Sequence, residues 1–105
     1  MIILFTTVDN EAKAKELAKK IVEEKLAACV SVFPVESTYF WQGKICENEK
    51  EYMLIIKTLE EKLNQLINWL KEHHPYTVPE LVAVKAEAFG KYLEWMKDYL
   101  LKWIP

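Results

Sequence analysis

Arginine is absent: all fourteen positive charges of the 105-residue chain are lysine. Without a planar guanidinium fork, the chain lacks the usual means of gripping a phosphate or carboxylate through two parallel hydrogen bonds. The net charge of −2 offers no general attraction for nucleic acid or for an acidic membrane surface. Gly43 and Gly90 are the only glycines, so no glycine-rich turn is available to cradle a phosphate. Cys29 and Cys46 are too few and too far apart for a disulfide framework or a CxxC pair. No stretch approaches the eighteen or more apolar residues of a membrane span. The opening MIILF is too short for the core of a signal peptide. These absences predict a cytoplasmic protein without nucleic-acid or membrane partners. GxSxG, GxxxxGK[ST] and HExxH are missing as well, and no residues show nucleophile–base spacing, so no enzyme is expected.

Half of the residues are hydrophobic and 29% are charged, the composition of an ordinary globular protein. The length suits a single domain over 1–105 with one core. Ile2 to Thr6 read as a central strand covered on both faces. Asp9 or Asn10 can cap a helix whose inward stripe is Ala14, Leu17, Ala18, Ile21 and Val22. In CVSVFPV, Val30 and Val32 share one strand face, while Cys29, Ser31 and Phe33 share the other. Pro34 cannot donate to a ladder and suits an edge or a bulge. Gly43 marks a turn between two long extended arms. Thr58 and Glu61 match a capping box for a second helix with apolar positions Leu59, Leu63, Leu66, Ile67 and Leu70. Pro75 ends that helix. Leu81 to Ala86 form a last strand with Val82, Val84 and Ala86 on one face. Gly90 separates it from a terminal helix carrying Leu93, Met96, Leu100 and Trp103, with Trp95 and Tyr99 beside that stripe. The order β-α-β-β-α-β plus a closing helix predicts an α+β, ferredoxin-like fold with an extended hairpin between its second and third strands.

Tyr39, Phe40 and Trp41 are consecutive. Successive strand residues point to opposite faces, so one buried face cannot cover all three rings. Either a segment of the same chain folds over the second face or another subunit covers it; a patch of that size is uncommon on monomers. His73 and His74 are the only histidines. Imidazole suits copper and other divalent transition metals. Neighbouring helical side chains diverge by about 100°, so one ion could take both rings only if the helix ends between them. Glu80 or the Cys29 thiol could add a donor. Equally, His73, His74 and Lys71 could satisfy the last carbonyls and the negative end of the helix dipole. Spacing alone leaves both readings open.

LAACVSV at 26 to 32, STYFWQGKI at 37 to 45, IKT at 56 to 58 and HHPYTVPEL at 73 to 81, with YLEW at 92 to 95, together resemble the CutA divalent-cation tolerance family over essentially the whole chain. The resemblance implies a tight homotrimer of ferredoxin-like subunits, architecturally related to PII signalling proteins, in which the aromatic hairpin reaches across to neighbouring subunits. It implies a role in tolerance of copper and other divalent metals, with metal at His73 and His74. Some members are held to add a first-strand thiol; this chain carries Phe5 in that stretch. The remaining donor set of His73, His74 and Glu80 suits copper(II) better than copper(I). No organic cofactor is expected. An alternative is a PII-like signalling or scaffold trimer binding a small metabolite or a partner protein in clefts between subunits. Cys29, Tyr39, Phe40, Trp41 and Tyr76 are the expected interface or cleft residues.

Overall fold

The computed structural model describes residues 1–102. Its elements are β1 (Ile2–Val8), α1 (Glu11–Glu23), β2 (Cys29–Trp41), β3 (Lys44–Thr58), α2 (Glu60–His73), β4 (Val82–Lys85) and α3 (Gly90–Leu101). The strands form one antiparallel sheet in the order β2-β3-β1-β4. This is the predicted α+β, ferredoxin-like arrangement. Among the described residues no helix is long and apolar enough to cross a membrane. Trp103, expected on the last helical stripe, lies outside the described residues.

Local chemistry explains most element boundaries. The Asn10 side chain caps α1 by accepting from the Lys13 backbone N–H at 2.9 Å. Ala14, Leu17 and Ile21 then face inward and join Leu4, Val8, Leu54 and Ile56 from the sheet with Leu66 and Leu70 from α2. Burying each such large aliphatic side chain contributes roughly 1.5–3 kcal/mol relative to leaving it in water. A second cluster holds Ala28, Leu59, Met96 and Leu100. The Tyr99 hydroxyl fastens α3 to the end of α1 by donating to the Val22 carbonyl at 2.6 Å. Pro34 lies on the edge strand β2, as its missing N–H requires.

Three expectations need correction. Thr58 and Glu61 do not form a capping box. Leu59 is the N-cap and makes no side-chain cap bond; the buried Thr58 hydroxyl donates instead to the Leu26 carbonyl at 2.7 Å. Such a buried carbonyl must be satisfied, and a long-range partner outcompeted the local one. The last strand is shorter than Leu81 to Ala86, spanning Val82–Lys85. Finally, β1 is covered on one face only within a single chain. Ile3 and Phe5 pair laterally with Val84 and Val82 and with Lys57 and Ile55. Ile3, Phe5, Met53, Ile55 and Phe33 belong to neither buried cluster. They form an open apolar face opposite the helices.

The hairpin closes at Gln42 and Gly43, which both take positive φ, 49° and 81°, the primed-turn geometry that matches the twist of two paired strands. A register shift between Ser37 and Tyr39, with Asn48 at φ 54° on the opposite arm, inserts a bulge midway. The chain measures 49 × 26 × 22 Å and has a radius of gyration of 14.7 Å, larger than the ~13 Å of a compact domain near this length. The arm projects beyond the body.

Candidate functional site

A groove of about 790 Å³ opens where the hairpin leaves the body. Its floor comes from the end of β1, one wall from the hairpin and the other from the loop that joins α2 to β4. β4 pairs with β1 only from Ile2 to Phe5, so this loop can run past the free edge of β1 beyond that point. Thr7 and Asp9, Tyr39 and Trp41, Glu49 to Glu51, and Tyr76 to Val78 with Glu80 line the space.

A hydrogen-bonded chain holds the loop in place. The Tyr76 hydroxyl donates to Glu51 Oε2 at 2.8 Å. The Tyr76 backbone N–H donates to His74 Nδ1 at 3.0 Å. Since Nδ1 accepts, the ring proton sits on Nε2, which donates to Thr6 Oγ1 at 2.9 Å. Burial is the main cause holding the His74 pKa below its ordinary value, opposed by a Thr7 backbone hydrogen bond and by the Glu51 charge. Burial, and then the bond to Glu51, raises the Tyr76 phenol well above its usual range, so it stays a donor. The Tyr39 phenol is also raised, first by lost water contact and then by negative neighbours including Glu49 and Glu51.

The two histidines part company. α2 ends at His73 and His74 takes extended backbone angles, φ −71° and ψ 136°. His74 turns into the protein with both ring nitrogens engaged. His73 stays outside, stacked on Trp69 with centroids 4.1 Å apart, and its Nδ1–H donates to the Trp69 carbonyl at 2.8 Å. Only its Nε2 is presented to solvent. Glu80 lines the groove wall. Among the described residues, no group of three or more His, Cys, Asp or Glu could hold a metal ion. His73, His74 and Glu80 therefore do not converge as one donor set within a single chain, because His74 already uses both nitrogens on the protein.

Of the expected cleft residues, the structure brings Tyr39, Trp41 and Tyr76 to the groove. Phe40 points to the other side of the ribbon opposite Ile45, and the pair is 71% and 67% exposed. Cys29 starts β2, at the far end from the groove, beside Lys57. Sequence reasoning missed Glu51, which is only 8% exposed. It lay hidden in the charged run ENEKE, yet it shares a strand face with Met53 and Ile55 at period two, which is the signal that could have found it.

Comparison with known proteins gives a consistent picture. A family model described as CutA1 divalent ion tolerance protein matches residues 2–99. Protein CutA 1, chloroplastic, from Oryza sativa is 44% identical over 99 residues, 92% of this chain and 55% of that protein. The chain thus spans about half the length of the plant relatives it matches. Divalent-cation tolerance protein CutA of Thermus thermophilus is 42% identical over 98 residues, covering 91% of this chain and 94% of its own length. The solved structure of CutA from Synechococcus elongatus superposes with a TM-score of 0.90 at 41% identity, over 94% of this chain and 88% of that one. A second structure of that protein, complexed with a Bis-Tris molecule, gives 0.86 at 39% identity over 94% and 92%. A PII-like protein CutA from Nostoc, in apo form, gives 0.86 at 30% identity over 95% and 97%. With the family match spanning nearly every residue of the sheet and helices, the chain belongs to the CutA1 divalent ion tolerance family.

Proposed function

We propose that the protein acts in divalent-cation tolerance as a non-enzymatic, cytoplasmic homotrimer that takes copper(II) or another divalent ion weakly. The observation that carries the assembly is the open sheet face of Ile3, Phe5, Met53, Ile55 and Phe33, extended by Val82 and Val84, which are about half exposed. Contiguous apolar surface of this kind on a soluble chain marks an interaction site. The bare Phe40 and Ile45 on the projecting arm add to it. A closed symmetric ring covers such faces without leaving an unpaired sheet edge. The mass in solution at low micromolar concentration tests this: the expected value is three times the 12.4 kDa of one chain, and a monomer would sink it.

For the metal, the geometry favours the outward Nε2 of His73 over a His73–His74 pair, because the Trp69 carbonyl fixes the tautomer that leaves that lone pair free. Calorimetric titration with copper(II) should then weaken in His73→Ala and stay unchanged in His74→Ala. Equal affinity in the parent and both variants removes the site.

A second reading is favoured by the groove itself. A PII-like trimer could hold a small organic ligand among Tyr39, Trp41 and Tyr76, and a relative carries Bis-Tris in a solved structure. Native mass spectrometry of protein taken from cell extract tests it: a retained organic mass supports the reading, and bare protein opposes it.

A further inference from the structure

The groove has a definite chemical character. Three aromatic rings, Tyr39, Trp41 and Tyr76, share it with four carboxylates, Asp9, Glu49, Glu51 and Glu80, while Lys50 is its only cationic side chain. An anionic metabolite would meet net repulsion there and, with no arginine in the chain, no fork to bind its phosphate or carboxylate. Aromatic faces attract cations through the negative face of the ring quadrupole, most strongly where water is thinned out.

Glu51 adds an independent observation. It is more than nine-tenths buried, and among the described residues no lysine or histidine lies within ion-pair distance of it. Its one hydrogen bond comes from the neutral Tyr76 phenol to Oε2. A carboxylate has about four lone-pair sites, and burying it without a counter-charge is costly. Oε1 has no protein donor among the described hydrogen bonds, and since no side-chain oxygen among the described residues is both sealed from water and unpartnered, this oxygen keeps access to the water of the groove. The groove beside it supplies the space for a positive partner.

Size decides which cation. The carboxylates stand around a space of about 790 Å³, and among the described residues no three acidic, histidine or cysteine groups close on a point where one metal ion could sit. Metal–oxygen bonds need donors at about 2–2.6 Å. An organic cation has no such requirement: it fills volume, meets rings on its alkyl faces and leaves the carboxylates at its periphery.

We propose that this groove binds an organic ammonium ion, its positive centre beside the Glu51 carboxylate and its alkyl groups against Trp41 and Tyr76. The inference rests on the reading of the groove as a small-ligand site and names the class of ligand. Lys50 tunes the site in the opposite sense, as the one charge that repels the occupant.

Isothermal titration of the assembled full-length protein tests it, using choline, its neutral carbon isostere dimethylbutanol, and ATP as an anionic probe. Choline should bind at least about tenfold more tightly than the isostere. Glu51→Gln, which keeps shape and can still accept from Tyr76, should weaken choline about tenfold. Lys50→Gln, an exposed change that carries little folding risk, should tighten it. Equal binding of choline and dimethylbutanol overturns the assignment of charge while leaving the groove a ligand site. Binding of ATP without choline overturns it in the same way. If no probe binds and no organic mass is retained by protein from cells, the small-ligand reading falls as well. Circular-dichroism melts of each variant separate lost binding from lost folding.

Discussion

On one face of the sheet, Leu4, Val8, Leu54 and Ile56 are sealed under α1 and α2. On the other face Ile3, Phe5, Met53 and Ile55 alternate with them along the same two strands and join neither buried cluster. Both sets are apolar, and one chain provides helices for only one side. Hydrophobic content along β1 and β3 reports that both faces are apolar; it does not report which of them the chain's own helices cover.

The hardest test of this contrast is a charge placed on the open face. Phe5→Asp should reduce the solution mass to that of one chain while far-ultraviolet circular dichroism stays near the parent's. An unchanged mass would mean that the open face is not where copies meet. The covered face should respond differently. Leu54→Ala is expected to lower unfolding stability by about 2–5 kcal/mol through lost burial and the cavity left behind, by whatever means assembly is altered. Denaturant melts measure it, and a change below about 1 kcal/mol would place Leu54 outside the core.

At the rim between the faces, His74 is held neutral by burial, its folded pKa below the unfolded 6.5. The unfolded chain therefore binds the proton more readily below pH 6.5. Stability contributed by the neutral ring is present above that pH and lost as pH falls toward the depressed folded value. Melts from pH 7.5 to 5 should fall more steeply for the parent than for His74→Gln; parallel curves would contradict the inward placement. Removing the α1 cap by Asn10→Ala should cost about 1 kcal/mol. Glu61→Ala should change stability by less than about 0.5 kcal/mol, since Glu61 closes no capping box; a loss near that of the Asn10 variant would restore the local reading.

The elements were legible because periodicity and punctuation are local. The α1 stripe, the Asn10 cap, the turn at Gly43 and the edge position of Pro34 each follow from residues a few places apart. What the sequence hid depends on partners far along the chain. Thr58 looked like a cap until the Leu26 carbonyl, 32 residues away, claimed its hydroxyl. His74 looked like a neighbour of His73 until Thr6, 68 residues away, drew it inward. Glu51 read as one more solvated acid in ENEKE, and only the loop bearing Tyr76 made it a buried carboxylate. Of the expected cleft residues Cys29, Tyr39, Phe40, Trp41 and Tyr76, the groove is lined by Tyr39, Trp41 and Tyr76, joined by Glu80, which was expected as a metal donor; their meeting place depends on the loop path past the free edge of β1.

Tyr39 and Trp41 face the groove, and Phe40 with Ile45 occupies the reverse of the same two-stranded ribbon. An occupant on one side and a neighbouring copy on the other would thus grip opposite surfaces of a single strip of backbone. Each would restrain the torsions that the other needs held still, so filling the groove should tighten subunit association, and separating the subunits should weaken the ligand's affinity by the same factor. Twenty-odd residues of paired strand would then serve as the shared spring between chemistry and quaternary structure.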